Sequence, residues 1–423
     1  MFSKKALGMS RRDFMKAAAV GSTGLAMARF LPFAGAQEGT IDYVHHFTSE
    51  TEFLGMERVI ALFQEQYPGI TIAQENIPNA DFMAAFTRSV QANSRPDTTM
   101  VASERLADMV AMGGLVDLTE RVTNWELYEF MPANRWEGVT LDGKIYGVPA
   151  FTFVDWMYYR ADWFEEAGIE VPTTFEEFRE AAIALTDPEQ GRYGFGLRGG
   201  AGGQGFITDV LQSFGSPLLD ADGNPAIDRD AAIEAIAFWS GLYTTDGVVP
   251  PSAPEDSYRQ IMDGFKTGQT AMIWHHTGSL AEVSAALEPG VEFGTALKPA
   301  GPAEHVTRVS YLYNGLMSEE NADAAWAWVS YWGENEPAIA FLEETGYFPV
   351  SEAIVNDERI TGNPIYAAAL EATEIGQLPP SFVGYSAWSS EVALPAFQKV
   401  LVGEYTVEEA VDEMIVGLED AVS

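Results

Sequence analysis

Met56, Val59, Ile60, Phe63 and Tyr67 recur at spacings of three and four residues, which gathers them on one face of a helix. Pro68-Gly69 ends that helix, because proline cannot continue it and glycine releases the chain into a turn. Short apolar runs flank it, residues 41–44 before and 70–72 after, and both read as strands. Phe82, Phe86 and Val90 mark a second helical stripe, and residues 98–101 form a strand-like run after Pro96-Asp97. Strand and helix thus alternate, the pattern of a mostly parallel sheet covered on both faces. The same grammar returns later. Thr174 with Glu177, and Thr406 with Glu409, have the spacing of capping boxes, in which a hydroxyl and a carboxylate satisfy the free amides of a helix start. The second box opens a last helix with Val407, Val411, Met414 and Leu418 on one side. Asp230 and Asn321 stand where caps belong, ahead of alanine-rich segments at 233–242 and 324–332. No short-period repeat or low-complexity linker interrupts the chain, so two lobes would be joined by strands rather than by a tether.

The N-terminal 36 residues have a different character. Ser10-Arg11-Arg12-Asp13-Phe14-Met15-Lys16 resembles a twin-arginine export signal, and the apolar run at 17–28 that follows is too short to span a membrane. Ala34-Gly35-Ala36 offers the small residues a signal peptidase needs, so a cut after Ala36 is expected. The chain carries a formal charge of −38, and losing residues 1–36 takes it to −43. Such a surface repels nucleic acid and anionic lipid and leaves neutral or cationic ligands. It suits a saline habitat, and solubility alone explains it equally well. There is no cysteine, which excludes disulfides, thiolate metal sites, a cysteine nucleophile and a lipidated N-terminal cysteine.

The segments "YPGITI", "RPDTTMV", "LVDLTE" and "GKIYGVPAFTFVDWMYYRADWFEEAGIEVPTTFEEF" resemble those of the family 1 extracellular solute-binding proteins of ABC importers, the maltose-binding-protein-like sugar receptors. The likeness continues in order through "DGFKTGQTAMIWHHTGSL", "SEENADAAWAWVSYW", "TGYFPVSEAI" and "VLVGEYTVEEAVDEM". The resemblance implies an α/β, periplasmic-binding-protein-like fold whose two lobes close on one ligand about a hinge of three crossings. Matching motifs put the crossings near 151–155, 293–299 and 347–350. They give an N-terminal lobe of 37–152 plus 298–346 and a C-terminal lobe of 153–297 plus 347–423. The resemblance further implies a monomeric periplasmic receptor without catalysis or cofactor. It would be exported by the twin-arginine machinery and would deliver a small neutral sugar or polyol to the transmembrane subunits of a permease.

A sugar presents hydroxyls at its edge and C–H groups on its face, so its site needs flat rings and planar polar groups. The loops after strand ends supply both. Glu50 matches an acidic position of the family, and reads equally as a solvated carboxylate in a first helical turn. His45 and His46 share that loop, and alternation lets one of them, taken as His46, face the cleft. Ser103 reads as a ligand contact or a helix cap. Asp155 and Trp156 sit at the first crossing, where the tryptophan either stacks on ligand or packs beneath the hinge. His276 offers a hydrogen bond in a loop where relatives carry a cleft tryptophan and this chain has Gly278. Tyr311 reads as a contact or as core, and Trp388 in "GYSAWSSEV" matches a late stacking aromatic of maltose-type members.

Other classes leave weaker traces. "GAGGQG" at 200–205 fits the dinucleotide fingerprint G-x-G-x-x-G, which would suit an exported NAD(P)-dependent oxidoreductase, yet no catalytic constellation accompanies it. The pairs His45-His46 and His275-His276 would suit an iron or zinc receptor if they faced each other across a cleft. Carboxylates are abundant enough for a glycosidase pair, and the abundance weakens the signal.

Overall fold

The computed structural model describes residues 39–351 and 358–423, so the export leader and its expected cut after Ala36 lie outside the described residues. Among the described residues no helix is long and apolar enough to cross a membrane. The alternation begins with β1 (Gly39–His45), which pairs in parallel with β2 (Ile70–Asn76) and with β3 (Thr98–Ala102). Helix Glu50–Gln66 lies between the first two and buries Met56, Val59 and Phe63, three members of the expected stripe. Helix Phe82–Gln91 buries Phe82 and Phe86 in the same way. A small hairpin of β4 (Thr140–Leu141) and β5 (Lys144–Ile145) turns through Asp142 and Gly143, both at positive φ.

Next comes β6 (Val148–Tyr159), which changes partners midway. Beyond it lie β7 (Tyr193–Gly196), β8 (Thr270–His276), β9 (Gly294–Ala296), β10 (Val309–Leu316) and β11 (Phe348–Pro349). Up to Val154, β6 pairs with β10 and β11; from Asp155 it pairs with β8 and β9. The strand order is β2-β1-β3-β10-β6-β8-β7. The mostly parallel sheet expected from the alternation is found at its two ends, whereas β6 and β10 run antiparallel to their neighbours. Strand direction changes at these two strands, and a hydrophobic pattern carries no sign of direction.

Residues 307–309 lie beside Gln377: its N–H donates to the Thr307 carbonyl at 2.9 Å and Val309 N–H to its carbonyl at 3.0 Å. Beneath them Asp209, in helix Gln204–Ser213, takes Lys298 Nζ at 2.5 Å and Arg308 Nε at 2.6 Å. Both expected capping boxes form, at Thr174 and Thr406. The cap of helix Arg229–Thr244 is Asp228 rather than Asp230, bonding Ala231 N–H at 2.9 Å. Asn321 occupies its cap position, but its amide bonds Asp97 at 3.0 Å instead of the helix. Two aromatic-rich cores result, one around Phe63, Trp328 and Trp332, the other around Trp239, Trp274 and Trp388.

Candidate functional site

β1, β3 and β8 each end in a loop that opens a helical turn, at Ser49, Ser103 and Thr277–Ser279. After β1 the chain turns at Thr48-Ser49 into a helix, and Glu52 fixes that turn. Its carboxylate accepts the Thr48 and Ser49 amides at 2.8 Å each and the Tyr347 hydroxyl at 2.7 Å. The Tyr347 ring packs against Phe153 at 5.6 Å and lies nearly parallel to His276 at 5.6 Å and 24°. Gly278 makes this possible, because a Cβ there would stand 2.3 Å from the Tyr347 ring. The space beside Gly278 is thus filled by an aromatic from the segment after helix Asn335–Thr345.

Asp155 lies opposite His276 across the β6–β8 ladder, so the two side chains share a face. Burial pushes the Asp155 carboxyl up to about 6, against the pull of Lys298 and, less strongly, of Arg308 and Arg198. Burial likewise pushes His276 down to about 3, helped by Arg198, so its imidazole is neutral. Arg198 itself falls to about 10 through burial. Its Nε donates to the Ala201 carbonyl at 2.8 Å. Tyr258 completes the group: its ring is 6.4 Å from His276 at 18°, and its hydroxyl donates to Glu282 at 2.6 Å. Several buried polar atoms around these loops have no partner among the described residues: His46 Nδ1, Arg105 Nη1, His276 Nδ1 and Ser386 Oγ. A buried polar group left unpaired is costly, so such atoms suit a ligand rich in hydroxyls.

The residues singled out in the sequence separate into groups. Asp155 and His276 come together as described. Ser103 and Tyr311 also meet, the Ser103 hydroxyl donating to the Tyr311 carbonyl at 3.2 Å, and Arg135 donates to the Tyr311 hydroxyl while lying 4.9 Å over its ring. His46 is half-buried, edge-on to Phe82 at 5.1 Å, in the neighbourhood of Arg105. Glu50 is exposed on the first turn of its helix, and the structural carboxylate is Glu52, three residues after Ser49. Trp156, on β6, is buried in the first core, edge-on to Tyr158 at 5.2 Å. Trp388 lies in the second core, 1% exposed, with its N–H on the Met414 carbonyl at 2.9 Å, not with its face open to a cleft. Phe153, Arg198, Tyr258 and Tyr347 were not picked out; the Ser49-to-Glu52 spacing, a capping box, was the one local signal for Glu52.

The glycine loop has a different use from nucleotide binding. Gly202, at φ +91°, would place a Cβ 1.9 Å from Arg198 Nη2, and Gly203 one 2.0 Å from the Arg198 carbonyl, so these glycines wrap the arginine. The histidine pairs also go separate ways, His45 to Gln74 at 3.0 Å and His275 to Ser279 at 2.9 Å. Among the described residues no group of three or more His, Asp or Glu side chains is placed to hold a metal ion.

Known proteins resemble the chain in sequence and in shape. The family model of the bacterial extracellular solute-binding proteins matches residues 48–339. The maltotriose-binding protein of Pyrococcus abyssi is 24% identical over 345 residues, covering 80% of this chain and 72% of that one. The mannitol-binding protein of Pseudomonas aeruginosa is 25% identical over 246 residues, 57% of this chain and 55% of its own. An ABC transporter solute-binding protein from Agrobacterium radiobacter, solved with ribitol, superposes with a TM-score of 0.83 at 20% identity, covering 91% of this chain and 99% of that one. One from Thermotoga lettingae, bound to α-D-tagatose, gives 0.82 at 22% identity with coverage of 91% and 99%. With its matched segment, two-lobed α/β fold and inter-lobe loops, this chain belongs to the bacterial extracellular solute-binding protein family.

Proposed function

We propose that the chain is the substrate-binding component of an ABC importer, capturing a sugar or polyol between its lobes and passing it unaltered to a membrane permease. The observation that carries this reading is the group on and around β6. Asp155 and neutral His276 face one way beside Arg198, framed by Phe153, Tyr258 and Tyr347. Rings that cover C–H faces, next to a carboxylate and a guanidinium that bond hydroxyls in pairs, are what a polyhydroxylated solute requires. The named relatives that bind maltotriose, mannitol, ribitol or tagatose support the ligand class. The hinge is taken to lie at Val154-Asp155, where β6 changes partners, with Thr307–Val309 and Gln377 as the neighbouring return paths. The basic leader fits export by the twin-arginine route, cleavage after Ala36 and work in the periplasm as a monomer. Thermal denaturation across a panel of sugars and polyols tests the reading. A ligand at about 100 times its Kd stabilises the folded state by about 2.7 kcal/mol. Asp155→Ala should abolish the shift; a shift that survives this change would refute the assignment of the site.

A further inference from the structure

We infer that the site admits a single sugar ring or an acyclic polyol and excludes longer saccharides; this rests on the receptor reading above. Two direct bridges join the lobes, and the first stands next to the ring cluster, Arg259 lying 5.5 Å over the Tyr258 ring. In this one Arg259, on helix Tyr258–Lys266, which packs on β8, donates from Nη2 to the Thr48 carbonyl at 2.8 Å. Thr48 belongs to the turn that Glu52 holds, and Arg259 is steadied by Glu282 at 3.6 Å, the same carboxylate that holds Tyr258. In the second, Asp108, in the helix after the Ser103 loop, accepts the Gly384 amide at 2.7 Å and the Ser386 amide at 3.3 Å. A saccharide that ran past either bridge would have to break it.

The supply of rings sets the same limit. A chain of several sugar rings needs a row of platforms, since each ring offers its own C–H face. Here the rings at the cleft form one group centred on His276, with Phe153 at 5.0 Å, Tyr347 at 5.6 Å and Tyr258 at 6.4 Å. The tryptophans add nothing to it. Eight of the ten are buried, and the other two, Trp125 and Trp326, pack edge-to-face on each other at 6.1 Å. Gly278 cannot regain an aromatic without displacing Tyr347.

Calorimetric titration of the purified protein with ribitol, D-mannitol, D-tagatose and maltotriose tests the size limit. One of the first three should bind at least about tenfold more tightly than maltotriose. Arg259→Ala, a change at an exposed side chain, should narrow that ratio by about tenfold, because it removes the bridge and leaves the rings of the cluster in place. Maltotriose binding as tightly as the small ligands would overturn the size limit and leave the receptor reading standing. An unchanged ratio in Arg259→Ala would overturn the role given to the bridge. No saturable heat from any of the four would overturn the sugar or polyol reading, and the size limit with it.

Discussion

Asp209 is a buried carboxylate held between two buried cations, Lys298 and Arg308. It is 4% exposed, as Lys298 is 2% and Arg308 5%, and its two oxygens take one cation each, at 2.5 and 2.6 Å. Arg308 then reaches Gln212 at 2.8 Å and the Leu378 carbonyl at 3.2 Å, so one carboxylate ties helix Gln204–Ser213 to the segments that hold Arg308 and Leu378. Burial works against its charge, yet Lys298 and Arg308 together hold its carboxyl below the ordinary range. A depressed carboxyl stabilises the fold above its unfolded pKa, and that contribution disappears as pH falls through the folded value. Asp209→Asn keeps the shape but leaves two cations uncompensated, and breaking a buried pair this way costs about 3–5 kcal/mol. With about 2.1 cal/mol/K of melting entropy per residue, a chain of this length loses about 4–6 °C in Tm. Scanning calorimetry at pH 7 reads it directly. Replacing all three at once, Asp209→Leu with Lys298→Met and Arg308→Met, should recover most of the loss, because no unpaired charge remains buried. A fall of less than about 1 °C for Asp209→Asn would refute the assignment, since it falls well short of the cost of a buried charge without its partner.

Three further outcomes are expected. Asp155, raised to about 6, adds stability below its unfolded pKa that is lost as pH rises through 6. Asp155→Asn should therefore flatten the stability-pH curve between pH 4 and 7 and gain up to about 3 kcal/mol at pH 8, read by urea unfolding, while weakening ligand binding about 10- to 100-fold. Gly278→Ala places a methyl group against the Tyr347 ring and should lower stability by about 1–3 kcal/mol through overpacking, with a matching loss of ligand affinity on titration. Trp388→Ala should cost about 3–5 kcal/mol of stability and leave the affinity of the remaining folded protein unchanged, since the ring fills a core.

The fold was legible because it is written in local periods. The stripe from Met56 to Phe63, the stop at Pro68-Gly69 and the boxes at Thr174 and Thr406 each depend on residues within a few positions, and each forms. Direction was not legible: β6 and β10 carry the same apolar alternation whether parallel or antiparallel. Asp155 and His276, both singled out in the sequence, lie opposite each other across the β6–β8 ladder, a pairing that no local pattern shows. Trp388 matched a position but not an environment, and only the packing of Tyr385 and Met414 around it decides that it is core. Glu52 was overshadowed by Glu50, two residues earlier, and its partner Tyr347 is 295 positions away. Arg198 was hidden for a related reason: the use of the glycines that enclose it appears only once Gly202 and Gly203 are seen against its guanidinium and carbonyl.

The measurement that bears most directly on capture without conversion is a calorimetric titration of the purified protein with its tightest sugar or polyol, followed by recovery of that ligand. Saturation at one ligand per chain, with the heat falling to that of dilution and the ligand recovered intact, is the predicted result. Heat that persists beyond stoichiometry with a changed ligand, or no saturable heat for any polyhydroxylated solute, would contradict it.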